Sequence, residues 1–162
     1  MNSASTLPSS FNESVFIGLG SNMGDRRLHL HNALSYLERA AEIQLINTSP
    51  FLETPPWGKT DQPDFINAVS EIRTGFSPDE LLEFLKQGEL LLGRTPTERW
   101  GPRVIDMDIL MFGSRIINDT DLIIPHKELT NRRFVLEPLL ELHSELVHPK
   151  NGIPLREFLL PE

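Results

Sequence analysis

The chain contains no cysteine. Disulfide staples, thiol nucleophiles and cysteine-ligated zinc are therefore excluded together. It also has no apolar run approaching the roughly 20 residues that a membrane-spanning helix needs. Positive charge is in short supply, with 15 Lys and Arg against 23 Asp and Glu, a formal net charge of −8. Duplex nucleic acids and anionic membranes are bound by neutralising many phosphates at once, so neither partner is expected. A small anionic ligand stays open, because a few local arginines suffice to hold one. The opening MNSASTLPSSFN lacks both basic residues and an apolar stretch, which does not fit a secretory signal. Residues 1–12 are expected to form a disordered tail, and residues 13–162 a single cytoplasmic domain.

At 162 residues and 39% hydrophobic, the chain can bury a sufficient core without staples. Val15 to Gly20 reads as a short buried strand ended by glycines. Asp25 can cap a helix whose apolar positions are Leu30, Ala33, Leu34, Leu37 and Ala41. Ile43 to Glu53 and Phe65 to Arg73 read as further strands. Between them TPPWGKTDQPD, with three prolines and a glycine, can only be a loop, and its length suits a functional one. Ser77, Pro78 and Glu80 form a helix start with a capping box, and Gly93 stops that helix. After the loop RTPTERWGPR, Val104 to Phe112 is strand-like. A short strand from Ile116, a helical stretch over 130–142 and a last turn near Leu155 complete the chain. Interleaved strands and helices predict an α+β sandwich with helices packed on the sheet.

The chemistry concentrates in RWGPRVIDMDILMF. Strand side chains alternate, so Asp106 and Asp108 share one face while Ile105, Met107, Ile109 and Met111 share the other. Two neighbouring carboxylates repel and lose hydration, a cost that an oxygen-preferring divalent cation removes. A solvated edge strand would explain the same two residues without any metal. Arg94, Arg99 and Arg103 fall within ten residues of one another, as phosphate positioning and charge neutralisation require. Pairing with surface acids is the plainer explanation for those arginines. Gly18, Gly20 and Gly24 miss the dinucleotide fingerprint, with three residues between the last two, and read as a strand-to-helix turn needing positive φ. Trp57 and Trp100 lie in loops and suit either local packing or cover over a flat ligand. Phe65 and Phe134 suit core packing or stacking on a heterocycle, and Asn67 shares a face with Phe65. Glu89 falls on the apolar face of its helix, either at its edge or against an inward partner. His126, after Pro125, gives no zinc pattern with the other histidines.

Four blocks, IGLGSNMGD, TPPWGKTDQPDFINAV, GRTPTERWGPRVIDMDIL and IPHKELTNRRFVLEPL, follow one another as in the 6-hydroxymethyl-7,8-dihydropterin pyrophosphokinase family. The resemblance runs from about Phe16 to Leu146. It implies a ferredoxin-like α+β sandwich with a mostly antiparallel sheet and long active-site loops. The implied reaction moves pyrophosphate from ATP to the pterin hydroxymethyl group, releases AMP and uses two Mg²⁺ ions in folate biosynthesis. By position, Asp106 and Asp108 would hold the metals, and Arg94 and Arg103 would be catalytic phosphate contacts. Thr54, Pro55, Trp57, Phe65, Asn67 and Phe134 would bind the pterin. Glu89, Trp100, Arg103, Ile109, His126 and Arg132 would line the ATP side. Pro96 stands where a second loop arginine can occur, Lys127 where tyrosine or proline is usual, and Asp121 where arginine is sometimes found. These departures bear on ATP affinity and loop closure. A stand-alone monomer is expected, without a fused partner domain. A metal-dependent phosphohydrolase and a non-catalytic binding module are the competing readings. The hydrolase has no need of a stacking acceptor site, and the module predicts that Asp106→Ala leaves ligand binding intact and that no turnover is seen.

Overall fold

The computed structural model describes residue 11 and residues 13–56, 60–95 and 101–159. The tail expected over residues 1–12 lies outside that set except for Phe11, whose ring sits against Gly75. Trp57, Pro96, Arg99 and Trp100 lie outside it as well.

The elements run β1 (Val15–Ser21), α1 (Arg26–Arg39), β2 (Ile43–Thr48), β3 (Leu52–Thr54), β4 (Phe65–Thr74), α2 (Pro78–Leu91) and β5 (Asp106–Phe112). They continue with β6 (Ile117–Asn118), β7 (Ile123–Ile124), α3 (Arg133–Leu142) and a 3-10 helix (Leu155–Leu159). The main sheet has the order β2-β4-β1-β5, every pairing is antiparallel, and β3 continues the pairing along β4. β1, α1 and β2 form a crossover with β4 inserted between the two strands, and β4, α2 and β5 repeat it around β1. This is the ferredoxin-like split βαβ arrangement.

Local chemistry sets the boundaries. Asp25 accepts from the Leu28 N–H at 3.1 Å and starts α1, which ends at Arg39, so Ala41 lies outside the helix and is exposed. The stretch Ile43 to Glu53 divides into two strands rather than one. Pro50 has no N–H to give a ladder, and Ser49 instead donates its N–H to the Val69 carbonyl at 2.9 Å and accepts the Val69 N–H on its side-chain Oγ at 2.9 Å. The capping box of α2 is complete: Ser77 Oγ accepts from the Glu80 N–H at 3.2 Å, and Glu80 Oε1 accepts from the Ser77 N–H at 2.8 Å. Gly93, at φ +107°, terminates that helix as the sequence suggests. β5 opens at Asp106, two residues later than the apolar pattern predicts.

The sheet is buried on both faces. On one, Val15, Ile17 and Leu19 of β1 and Ile66, Ala68 and Ile72 of β4 pack under Leu30, Ala33 and Leu37 of α1 and Leu81 and Leu85 of α2. On the other, Phe16, Val69, Leu110 and Met111 meet Leu136 and Leu139 of α3 and Leu155. Each fully buried leucine contributes roughly 1.5–3 kcal/mol relative to exposure. The expected alternation of β5 holds for Ile105, Met107 and Ile109 and then fails, because Met111 joins the α3 side with Leu110 while Phe112 joins the α1/α2 side. The cause is a β-bulge. Phe16 pairs with Met111 and Ile17 with Ile109, which leaves Leu110 as an extra residue and shifts the phase of the strand by one.

Candidate active site

The cleft opens on the α3 side of the sheet, at the end where β1 leaves for α1 and β5 begins. Sheet register builds it. Gly20 pairs with Asp106 on one side and Asn67 on the other, and Gly18 pairs with Asp108 and Val69. Each acid therefore faces the opposite wall across a glycine, and the two flanking strands lie about 10 Å apart. A Cβ at Gly20 would come within 2.9 Å of Asn67 Oδ1, and one at Gly18 within 3.3 Å of the Leu110 side chain. Neither glycine has a positive φ; that conformation falls on Gly24, at +64°. Gly18 and Gly20 are needed as a bare floor rather than as turn formers, contrary to the expectation from sequence. The cleft measures about 790 Å³, counting space open to solvent. Its walls carry Thr54, Pro55, Phe65, Asn67 and Phe134 on one side and Arg103, Asp106, Asp108, His126 and Arg132 on the other.

On the acidic wall, Asp106 is held between two arginines. Arg94 Nη1 donates to Asp106 Oδ1 at 2.9 Å, and Arg103 Nη1 donates to Oδ2 at 3.0 Å. The Asp108 carboxyl is pushed up to about 8. Burial is the main cause, followed by the negative charges of Asp106 and Glu89. A carboxyl pair of this kind, one member cramped by the other, gains most from a hard cation with oxygen ligands. Two carboxylates are also the usual protein share of a Mg²⁺ site completed by substrate phosphates. The donor set thus fits the metal that the sequence suggests, although no cluster of three or more metal-ligating side chains occurs among the described residues.

Glu89 meets an inward partner. Its Oε2 accepts the Met107 N–H at 2.7 Å, between the two aspartates in sequence, and its Oε1 pairs with Arg94 Nη1 at 2.9 Å. Burial raises its pKa, offset in part by those contacts. Glu89 and Ile109 do not line the cleft; Ile109 packs in the α1/α2 core. His126 does line it. Its N–H donates to the Leu110 carbonyl at 2.9 Å, and its Nδ1 accepts from the Glu128 N–H at 3.1 Å. That leaves the proton of the neutral ring on Nε2. Burial first, and the Arg132 charge second, lower its pKa and keep the ring neutral.

On the opposite wall Asn67 Nδ2 donates to Thr54 Oγ1 at 2.6 Å, which fixes the amide at the cleft edge beside Phe65. The Arg132 guanidinium sits 5.8 Å from the centre of the Phe134 ring. The sequence pattern alone did not reveal Leu129 or Glu128 as lining residues, nor the buried Asn22. Only an asparagine within a glycine-rich turn, a residue type that pairs with backbone, hinted at the last.

The family model described as 7,8-dihydro-6-hydroxymethylpterin-pyrophosphokinase (HPPK) matches residues 16–144. A 2-amino-4-hydroxy-6-hydroxymethyldihydropteridine pyrophosphokinase of Haemophilus influenzae is 42% identical over 139 residues, covering 86% of this chain and 87% of that protein. A protein of the same name from Bacillus subtilis is 44% identical over 135 residues, covering 83% and 81%. The folic acid synthesis protein fol1 of Pneumocystis carinii is 41% identical over 147 residues, 91% of this chain but 20% of that longer one. The crystal structure of wild-type Plasmodium falciparum HPPK-DHPS with pteroate superposes with a TM-score of 0.70 at 18% identity. It covers 90% of this chain and 41% of that one, and establishes likeness of fold.

Proposed function

The chain belongs to the 7,8-dihydro-6-hydroxymethylpterin-pyrophosphokinase family, and from that premise we propose how its cleft divides the work. The reaction is the transfer of pyrophosphate from ATP to the hydroxymethyl group of 6-hydroxymethyl-7,8-dihydropterin with release of AMP, a step of folate biosynthesis. Phe65 and Phe134 stack on the two faces of the pterin, and Asn67, with Thr54, Pro55 and Trp57, meets its polar edge. Arg94 and Arg103 contact the phosphates. His126, Arg132 and Trp100 serve the nucleotide side, and Glu89 supports it by holding Arg94 and the Met107 backbone.

Asp106 and Asp108 are the residues that would hold two Mg²⁺ ions. Bound there, the ions would neutralise phosphate charge and lower the proton affinity of the acceptor hydroxyl. The chain's own residues supply alignment, since a stacked ring restrained at its edge can present its alcohol in line with the β-phosphorus. The arginines balance charge on the transferred and departing groups. Asp108, when ionised, offers the oxygen that takes the hydroxyl proton as the alcohol bonds to the β-phosphorus and AMP departs. Among the described residues no helix is long and apolar enough to cross a membrane. A monomer working in the cytoplasm completes this reading.

One observation carries it: the transverse row Asp106–Gly20–Asn67 sets a phosphate-facing acid opposite a ring-edge amide across a side-chain-free floor. A hydrolase would have no use for the second wall. The test is to incubate the purified protein with ATP and Mg²⁺, with and without the dihydropterin, and to follow AMP. AMP should form only when the pterin is present. Comparable ATP breakdown without it would overturn the reading in favour of a phosphohydrolase.

A further inference from the structure

Asn22 follows β1 and is buried, with 1% of its surface exposed, yet it does not line the cleft. Both polar atoms of its carboxamide are directed at two other loops. Its Oδ1 accepts the Arg103 N–H at 2.8 Å. Its Nδ2 donates to Gln62 Oε1 at 2.8 Å and to the Pro63 carbonyl at 3.1 Å. Its own N–H donates to the Arg103 carbonyl at 3.1 Å, so Arg103 is gripped at both backbone atoms. A buried amide with every group satisfied fixes its partners strongly, because any displacement leaves a desolvated donor or acceptor unmade.

The two loops so joined carry the two halves of the site. Arg103 reaches Asp106 Oδ2 with its guanidinium, three residues before β5 turns Asp106 and Asp108 into the cleft. Pro63 stands two residues before Phe65, where β4 begins with the ring wall and Asn67. The Asn22 carboxamide thus spans from the Pro63 carbonyl to the Arg103 N–H. Asn22 bridges them, so it sets the spacing between the phosphate side and the acceptor side on the open rim, where the sheet no longer does.

We infer that Asn22 is a positioning residue for the transfer step, holding the loop that leads into Phe65 at a fixed distance from Arg103 so that the acceptor hydroxyl and the β-phosphorus stay in line. This rests on the functional reading above. Misplacement by about 1 Å costs on the order of 100-fold in rate, while each substrate still meets its own wall. The distinguishing signature is a loss of kcat with little change in binding of either substrate alone.

The experiment uses the full chain and two variants. Asn22→Asp is nearly isosteric and keeps the acceptor for the Arg103 N–H, but it replaces both donors with an oxygen that repels the Pro63 carbonyl. Asn22→Ala removes both links. For each, melting temperature, dissociation constants for a non-hydrolysable ATP analogue and for the pterin alone, and kcat per folded molecule are measured. Asn22→Asp should lose at least tenfold in kcat and Asn22→Ala about 100-fold, with each dissociation constant within threefold of wild type. A lowered melting temperature with normal kcat per folded molecule would show a merely structural role and overturn the inference. Loss of binding as large as the loss of kcat would overturn it too. Should Asn22→Ala fail to fold, Asn22→Asp decides. A wild-type protein that makes no AMP in the presence of the pterin would defeat the functional reading itself, whereas an active wild type with equally active variants would defeat this inference alone.

Discussion

Asp106 and Asp108 sit two residues apart on one strand and occupy different electrostatic states. Arg94 and Arg103 pin the first, while the second faces burial and two nearby negative charges. In the metal-free protein, Asp108 holds its proton up to about pH 8, whereas in the unfolded chain it ionises near an ordinary carboxyl value of about 3.9. Between those values the native state binds the extra proton, so the contribution to stability is full below the lower value and is lost as pH rises toward the upper one. In excess chelator, raising the pH from 6 to 8 should lower the wild-type melting temperature by a few degrees more than that of Asp108→Asn. Parallel melting profiles for the two proteins would show the group already ionised. With metal and both substrates, Asp108→Asn should reduce turnover at least 100-fold, read by AMP formation. Near-normal turnover would remove Asp108 from the proton-handling role. The pairing of these acids was legible in the sequence, because period-two alternation puts D-x-D on one face. Their inequality was not, since it depends on which arginine reaches which carboxylate and on how deeply each is buried.

Among the elements, β4, β1 and the edge strand β5 matter most to the site. Strand existence, the caps of α1 and α2 and the glycine stop at Gly93 could be read from residue type, because each rests on a local rule. The split at Pro50 also has a local cause, but the apolar run on either side masks it. The phase change in β5 has no local signature. It comes from the pairing of β5 with β1, and Leu110 looks like any other strand residue. Glycines 18 and 20 misled for the same reason, since their role lies in what stands on the neighbouring strands. Gly20→Ala should push the Asn67 amide aside and raise the pterin dissociation constant about tenfold or more, with ATP-analogue binding within threefold, by separate titrations. An unchanged pterin constant would mean that the floor has slack.

Taken as a whole, the molecule is one sheet clamped between α1 and α2 on one side and α3 on the other. The two cores share the same strands, so neither face should melt by itself. Leu81→Ala and Leu136→Ala, one from each core, should each cost about 2–5 kcal/mol and lower a single calorimetric transition. Two resolved transitions would show the α3 layer to be a separate unit. The tripartite layering could be anticipated from composition and alternation; the position of the cleft could not, because it depends on where α3 stops covering the sheet. Leu110 ties these scales together. By backbone pairing it is supernumerary, and deleting it would leave Met111 and Phe112 each on its present side of the sheet. The carbonyl that anchors His126 and the side chain beneath Gly18 would go with it. Excision should therefore spare the architecture and strip the catalytic rim of its footing. A one-residue surplus in the chain gives this strand a place where chemistry can be altered without rewriting the fold.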